Sequence, residues 1–489
     1  MMLKQFGRRI VASTVGAALA SVMALGAMAT ELDLETITIP LDGGDTLTAE
    51  EGFLSVPEQR AKADSRSIQI GFRRIAKVEG AGGAPVFLLA GGPGGSFNER
   101  LGEGGYRQDR TMRLINMYRQ VGDVVLVDLR GVNLSTPNTL CDGPRNKWRR
   151  AMNEEAMYAI FKASGADCRA KLIEEGFDIS GYTVLAAAQD VIDVADALGY
   201  GQINVTGTSF GSHWGVTLAK YHGERIDNLL LTGLEGLDHT IDDPEQVGKA
   251  VRLISATAKE AWGGAHGVEG PAEAMEALAQ RAAEDPKSAF GLRPYEIYEA
   301  ATNSDGYGLS GRGGWPGWPA KVDDFMNGKV RYFKMVRWWM SRFVGKGWDA
   351  AAVGMLDCAS WITPEREAKL AALPQQLAPD NLKYYSALCE GWDVPQLSDD
   401  FRADFTSPIR TLFIHGDMDI STPLSNAEET IKLFPNGQLT VVSNGSHGVL
   451  IEILSNDEAM EGVIVDWFKG GDFLPAQIAL PPVTFESLD

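Results

Sequence analysis

Along most of the chain, short apolar or alternating segments typical of strands are interspersed with segments that have helical spacing of apolar residues. The period of two in Ser67–Ile75 predicts a strand, and the apolar runs Pro85–Ala90 and Val124–Asp128 predict strands buried on both faces. Buried strands that alternate with helices are typical of an α/β domain with a mostly parallel sheet. The same patterns predict further strands at Ile203–Thr206, Leu229–Thr232, Arg410–His415 and Gln438–Ser443, and helices at Leu185–Leu198 and His213–Tyr221.

The alternation of strand-like and helical segments stops between residues 241 and 407. This stretch has helical and irregular spacing, includes the run Gly-Trp-Pro-Gly-Trp-Pro at 314–319, and holds eight of the 11 tryptophans. We interpret it as a mainly helical cap, inserted between two parts of one α/β core at residues 30–240 and 408–489. The tryptophans are expected to pack the cap helices together.

The first 29 residues have the pattern of an export signal. A basic start is followed by the apolar run Ile10–Ala29, which ends in the A-x-A pattern Ala27-Met28-Ala29. The sequence thus predicts a signal peptide at residues 1–29, and a mature bacterial protein that is periplasmic or secreted. The alternative is an uncleaved anchor, since the apolar run is nearly long enough to cross a bilayer.

Charge excludes some classes of partner. The formal net charge is −20 at pH 7, which disfavours binding to nucleic acid phosphates and to anionic membrane surfaces. We therefore expect a soluble acidic surface, no nucleic acid partner, and no membrane contact after signal cleavage.

Four cysteines are present, namely Cys141, Cys168, Cys358 and Cys389, and none lies in a C-x-x-C pair. A zinc site or redox motif is therefore disfavoured, and we expect no metal and no cofactor. An even count in an exported chain favours disulfides. Three pairings are possible; pairing of sequence neighbours closes the shortest loops. The alternative is four buried thiols.

A G-x-S-x-G pentapeptide at Gly207–Gly211 is the first candidate for chemistry. The motif alone is weak, but here an apolar strand precedes it and a helix follows it. This strand–turn–helix context is that of a nucleophile elbow, in which the sharp turn raises the serine hydroxyl at the carboxyl end of the sheet. Ser209 is therefore the predicted nucleophile, and it needs a base nearby.

The base and the acid are predicted from chain order. His447 follows a strand in Gly-Ser-His-Gly, at the same edge of the sheet as Ser209, whereas the other five histidines lie less favourably. The acid is expected between the serine and the histidine. Asp417 and Asp419 compete there, and we predict Asp419, which precedes Thr422-Pro423 in a G-x-x-D-x-x-T-P pattern; Asp417 is the expected turn former.

The segment Ala90–Ser96 is a Gly-rich turn directly after a predicted strand. It could simply end the strand, but hydrolases with a nucleophile elbow need a backbone N–H at this place to bind the oxyanion. We predict the N–H groups of Gly92 and Phe210 as the two donors. A phosphate-binding role is disfavoured because no G-K-[ST] follows.

Taken together, these motifs resemble the α/β-hydrolase serine peptidases that include proline iminopeptidase and the secreted bacterial tripeptidyl aminopeptidases. The resemblance covers most of the mature chain and is strongest outside the cap. Asn133, Phe210 and Ser212 depart from the family pattern, which bears on subsite preference. The motifs that match are Gly91–Gly94, Asp128–Ser135, Gly207–Gly211, Gly416–Pro423 and Gly445–Gly448.

The resemblance implies an α/β-hydrolase fold and an aminopeptidase that acts on peptides through an acyl-enzyme. Members of the family recognise the free N-terminal amine with carboxylates, and Glu235 and Asp238, just after a predicted strand, are the candidates here. The placement of cysteines in the family also resembles the sequential pairing Cys141–Cys168 and Cys358–Cys389, which we predict. The closest alternative function is an esterase or other acyl hydrolase, and a non-catalytic binding protein is a third. The sequence does not specify an oligomeric state.

Overall fold

A mixed sheet of ten strands runs through the described part of the chain. The structure is a computed structural model, and it describes residues 32–141, 149, 151–302, 309, 311–343, 350–374, 377 and 380–488. The predicted signal peptide lies outside the described residues. The strands are β1 Leu34–Pro40, β2 Thr46–Pro57, β3 Ser67–Ile75, β4 Val86–Leu89, β5 Val124–Val127, β6 Ile203–Thr208, β7 Ile226–Thr232, β8 Arg410–Gly416, β9 Gly437–Ser443 and β10 Gln477–Ala479.

The sheet is parallel in its central and C-terminal part. The strand order is β1-β2-β3-β5-β4-β6-β7-β8-β9-β10. The pairs β1/β2, β2/β3 and β3/β5 are antiparallel, and every pair from β5/β4 to β9/β10 is parallel. The loops after β4, β6, β7, β8 and β9 therefore meet at one edge of the sheet, where ligand sites of open α/β sheets lie.

Helices cover both faces of the sheet. On β7, Leu229 and Leu231 pack on one face with Trp214, whereas Leu230 packs on the other face with Trp467. This alternation gives the sheet two cores, one on each side. Outside the insertion, the helices are α1 Phe97–Glu103, α2 Gly105–Tyr118, α3 Glu154–Glu174, α4 Val184–Ala197, α5 Phe210–Tyr221, α17 Leu424–Thr430, α18 Val449–Asn456 and α19 Ala459–Phe468.

The chain between β7 and β8 is helical where the structure describes it. Trp262, Trp315 and Trp318 are buried in a core of this region, which confirms the packing role expected for most of its tryptophans, although Trp338 and Trp339 are about half exposed. The boundaries at 241 and 407 stay predictions. The helices here are α6 Pro244–Thr257, α7 Lys259–Trp262, α8 Pro271–Glu284, α9 Pro294–Thr302, α10 Trp318–Met326, α11 Arg331–Phe343, α12 Ala350–Ala352, α13 Cys358–Ser360, α14 Pro364–Ala371, α15 Asn381–Trp392 and α16 Asp399–Arg402.

All strands and helices predicted in the core are present, with shifts of a few residues at their ends. The largest shifts are of three residues: β7 begins at Ile226 rather than at Leu229, and α5 begins at Phe210 rather than at His213. Its residues from Phe210 to Ala219 are all buried, so the helix has no polar face whose periodicity would show its start. The sequence patterns did not predict β1, β2 and β10: β1 has one buried residue, the alternation of β2 changes phase at Glu50 and Glu51, and β10 has three residues.

Two disulfides confirm the sequential pairing. Cys141 is bonded to Cys168 on α3, and Cys358 is bonded to Cys389 on α15. The second bond joins two helices of the insertion. Within the described ranges, no helix combines the length and the apolar character that a membrane crossing requires.

Candidate active site

Ser209 lies on a tight turn between β6 and α5. Its backbone has φ 59° and ψ −133°, a conformation that non-glycine residues adopt at a cost. A Cβ on Gly207 would lie 2.2 Å from the Gly211 carbonyl oxygen, and a Cβ on Gly211 would lie 2.2 Å from that of Leu89. The turn therefore requires glycine on both sides of the serine, as the pentapeptide predicts.

The Gly-rich turn, residues Gly91–Gly95, packs directly against this serine. A Cβ on Gly91 would lie 2.9 Å from the Cβ of Ser209. Gly92 has φ 140°, which favours glycine. Phe210 is the first residue of α5, where a backbone N–H has no acceptor within its own helix. The placement of Gly92 and Phe210 beside Ser209 is compatible with the predicted oxyanion hole, which stays a prediction.

His447 and Asp419 form a hydrogen-bonded pair, with 2.8 Å between Nδ1 and Oδ2. Asp419 is fully buried and also accepts hydrogen bonds from the backbone of Ser421 and from the backbone and hydroxyl of Thr422. Burial alone would raise the pKa of Asp419, but the charge and hydrogen bond of His447 lower it below its ordinary value. Among the described carboxylates, Asp419 is the one within 4 Å of His447, so the pair uses Asp419 rather than Asp417.

Gly233, directly after β7, brings the serine and the histidine together. A Cβ on this residue would lie 2.9 Å from His447 Cε1 and 3.4 Å from the Ser209 backbone nitrogen. The same nitrogen donates to the Gly233 carbonyl at 3.0 Å. Burial would lower the pKa of His447, but the charge of Asp419 raises it above its ordinary value. The structure thus gathers the three predicted triad residues at one edge of the sheet.

A carboxylate cluster lies beside this pair and consists of Glu235, Asp242 and Asp357. Glu235 and Asp242 follow β7, and Asp357 belongs to the insertion, where it is hydrogen-bonded to Tyr385. Burial, with a smaller contribution from the charge of Asp419, raises the pKa of Asp242 to about 8. Burial and the charges of the other cluster members raise the pKa values of Glu235 and Asp357 well above their ordinary values.

No lysine or arginine of the described chain lies within 4 Å of the cluster. The nearest basic side chain is that of His213, whose Nδ1 lies 3.8 Å from Glu235. Burial lowers the pKa of His213 to about 4, so this histidine supplies no positive charge at neutral pH.

Two family models match the sequence. One describes the alpha/beta hydrolase fold and matches residues 84–264, and the other describes a TAP-like protein and matches residues 375–473. Together they span more than half of the chain, and they include Ser209, Asp419 and His447. The chain belongs to the TAP-like α/β-hydrolases. The fold and the family predicted from the sequence motifs are thus confirmed.

Known proteins similar to this TAP-like hydrolase are distant. No curated protein matches it. The solved structures named below are no more than 16% identical to this chain, so they carry no argument about activity. The family assignment rests on the two regions that the family models match. Similar solved structures include 2-hydroxy-6-oxo-6-phenylhexa-2,4-dienoate hydrolase from a Rhodococcus strain (14% identity, 89% of this chain and 100% of that chain, TM-score 0.39), a serine hydrolase from Cycloclasticus zankles (16%, 86% and 98%, 0.37), and a thermophilic esterase from Thermogutta terrifontis (14%, 85% and 98%, 0.34).

In the TAP-like hydrolase, the carboxylate of Asp238 is already hydrogen-bonded to other residues of the protein, which is not expected of a ligand for the substrate amine. It accepts hydrogen bonds from the backbone and hydroxyl of Thr363 and from Arg366 Nε at 3.1 Å. These contacts tie the loop after β7 to α14 of the insertion. Because its oxygens already have protein donors, Asp238 is poorly suited to bind a substrate ammonium, and we do not retain it as a candidate.

Sequence analysis did not single out two members of the carboxylate cluster. Asp242 follows β7 by ten residues, so the argument that selected Glu235 applied to it as well. Asp357 carries no motif of its own, and only the tertiary structure brings it near β7. Within the described ranges, no group of histidine, cysteine, aspartate or glutamate side chains has the geometry of a metal site.

His415 is a further residue that the motifs did not indicate. Its Nδ1 accepts from the Leu234 backbone at 3.1 Å, which requires the proton on Nε2, and Nε2 donates to the Thr422 carbonyl at 2.8 Å. Burial lowers the pKa of His415, in keeping with this neutral tautomer. The ring therefore joins the loop that bears Glu235 to the loop that bears Asp419.

Proposed function

We propose that this protein is an exported serine aminopeptidase that hydrolyses peptide bonds near the free N-terminus of peptides. The observation that carries the proposal is the carboxylate cluster beside Ser209 and His447. One buried and two half-buried carboxylates without a cation are costly to ionise, because a charge away from water needs a partner. A substrate ammonium, with three N–H donors and a positive charge, is the partner that this cluster fits.

The proposed reaction proceeds through an acyl-enzyme. The Ser209 hydroxyl gives its proton to His447 Nε2 as its oxygen attacks the substrate carbonyl carbon, and Asp419 stabilises the imidazolium. Backbone N–H groups of Gly92 and Phe210 donate to the oxyanion. The C–N bond then breaks, and His447 returns the proton to the departing amine. Water attacks the ester in the same way, releases the N-terminal piece and restores Ser209.

The proposal is tested with pairs of short peptides that differ only in N-terminal acetylation, run beside simple acyl esters. Acetylation removes the charge and leaves the cluster without a partner, so kcat/KM should fall on the order of 100-fold. A fluorophosphonate should label Ser209 in the same preparation. Equal cleavage of free and acetylated peptides, or preference for esters, would support the esterase alternative and refute the aminopeptidase.

Export is the second part of the proposal. The two disulfides, Cys141–Cys168 and Cys358–Cys389, support it because such bonds persist in oxidising compartments. We expect the native protein to be periplasmic or secreted, with residues 1–29 removed. Fractionation of cells followed by N-terminal sequencing checks this, and a cytoplasmic protein with an intact N-terminus would contradict it.

A further inference from the structure

Two arginines near the candidate active site have no carboxylate partner. Arg100 lies in α1 and Arg110 in α2, and both are partly exposed. Their guanidinium groups rest on aromatic rings, with Arg100 Cζ 5.0 Å from the centre of Phe97 and Arg110 Cζ 5.2 Å from that of Tyr106. Within the described ranges, neither side chain has a carboxylate within 4 Å or a hydrogen-bond acceptor. Such groups are unusual on a chain with net charge −20.

Both guanidinium groups contact segments that carry the proposed chemistry. Arg100 Nη2 lies 3.1 Å from the place of a Cβ on Gly95, so it packs on the Gly-rich turn. Arg110 Nη2 lies 3.6 Å from the place of a Cβ on Gly448, the residue that follows His447. The two positive charges therefore lie at the edge of the sheet that holds Ser209.

Arg100 and the carboxylate cluster lie on opposite sides of Ser209, whereas Arg110 contacts Gly448, which follows β9. The serine ends β6, which has β4 and β7 as its neighbours in the sheet. Arg100 and the turn it contacts follow β4, whereas Glu235 and Asp242 follow β7. A peptide that crosses Ser209 with its ammonium on the β7 side directs the portion beyond the scissile bond toward Arg100, which lies close enough to Arg110 for the two charges to interact.

We propose that Arg100 and Arg110 form an anion subsite for a carboxylate on the leaving-group side of the substrate. The anion subsite selects short peptides whose free C-terminal carboxylate lies a few residues beyond the scissile bond. Such a peptide is positive at one end and negative at the other, which matches the two charged regions. This inference rests on the proposed aminopeptidase function and extends it to the class of peptide.

Neighbouring side chains do not already satisfy these two charges. Arg107, on the same helix as Arg110, pairs with Glu103 at 3.3 Å and is mostly exposed, as surface arginines usually are. Glu452, close to Gly448, accepts from the backbone and hydroxyl of Ser446. Burial and the charges of Arg107 and Arg110 lower the pKa of Arg100, and the charges of Glu103 and Glu99 offset this only in part. A bound anion would therefore relieve repulsion within the group.

The test compares tetra-alanine with its C-terminal amide. In the native protein, we expect kcat/KM to be about 10-fold higher for the free acid, as a partly exposed charge-assisted contact allows. The ratio of acid to amide should fall to about 1 in the Arg100→Gln, Arg110→Gln double variant. Arg107→Gln is the matched control, and it should keep the native ratio. Fluorophosphonate labelling of each variant reports whether the site is folded.

Two results would overturn the anion subsite: equal cleavage of acid and amide by the native protein, or a preference that survives in the labelled double variant. A second pair of substrates separates this inference from the proposed function. The acetate ester of 4-hydroxybenzoate carries an anion on its leaving group, and that of 4-hydroxybenzamide does not. If no peptide is cleaved but the benzoate ester is preferred through the arginines, the aminopeptidase fails and the anion subsite stands.

Discussion

Asp419 and the carboxylate cluster of Glu235, Asp242 and Asp357 are buried or half-buried at the same edge of the sheet, yet their pKa values move in opposite directions. Asp419 has protein donors on both oxygens, including His447 at 2.8 Å, and its pKa is lowered. The cluster has neutral donors, Asn426 for Asp242 and Tyr385 for Asp357, and its pKa values are raised by burial and by neighbouring carboxylates. Burial is common to both regions, so the partners decide the ionisation.

The difference indicates a different role for each region. A carboxylate whose charge is satisfied inside the protein can hold an imidazole in one tautomer through every turnover. Carboxylates whose charge is unsatisfied bind a cation when one arrives, and part of the binding free energy comes from ending their mutual repulsion. Asp238 completes the comparison, because Arg366 and Thr363 already occupy its oxygens.

The largest expected effect comes from substituting the predicted triad, in which the charge of Asp419 is satisfied by protein donors. Asp419→Asn should lower kcat by about 10⁴-fold, because the amide no longer stabilises the imidazolium or fixes its tautomer. Ser209→Ala should abolish hydrolysis and fluorophosphonate labelling while the protein stays folded. Steady-state rates on the best peptide, with circular dichroism as the folding control, check both. Activity close to native in either variant would remove that residue from the mechanism.

Substitutions in the carboxylate cluster should lower activity less than those in the triad, and the loss should depend on the substrate. Glu235→Gln is expected to lower kcat/KM by about 100-fold for peptides with a free amine. N-acetylated peptides should lose far less, since they have no ammonium to place. Asp238→Asn is the matched control, which should keep the native ratio of free to acetylated substrate. A uniform loss on both substrates would show that Glu235 supports the fold rather than the amine.

The pH profile sharpens the comparison. His447 acts as a base only when neutral, so activity should rise with pH through its pKa. That pKa is raised by Asp419, and the acid limb should lie above the ordinary value of about 6.5. In Asp419→Asn, the residual activity should have its acid limb at lower pH, because the stabilising charge is gone. An ester substrate keeps amine titration out of the measurement, and an unchanged limb would contradict the assignment of His447.

The smallest effect concerns stability. Because the pKa of Asp242 is about 8 in the fold and near 4 when unfolded, folding takes up a proton between these pH values. Stability contributed in this way is present below pH 4 and is lost as pH rises toward 8. Asp242→Asn should therefore raise Tm at pH 8 by about 2–5 °C, and by much less at pH 5. Calorimetry at both pH values checks this, and Asp238→Asn should show no such gain.

The central fold was predictable because local patterns and global topology agree there. Buried parallel strands such as β4, β5 and β7 are short apolar runs between glycine-bearing turns, and a parallel sheet needs crossover helices between them. The strands β1 and β2 escaped prediction, since β1 has one buried residue and the alternation of buried and exposed positions in β2 changes phase at Glu50 and Glu51. The start of α5 escaped because a helix buried on all sides has no periodic polar face.

The sequence by itself determined the elbow at Ser209, the order of Ser209, Asp419 and His447, and the family, because each depends on short motifs along the chain. The pairing of the cysteines was predicted with the help of the family resemblance. Only the tertiary structure decided which carboxylates are satisfied. Asp357 lies more than a hundred residues from Glu235, and Asp238, three residues after Glu235, has its charge satisfied by Arg366 of α14. Ionisation, and with it binding, follows from the distances between charges in space, which the spacing of residues along the chain does not contain.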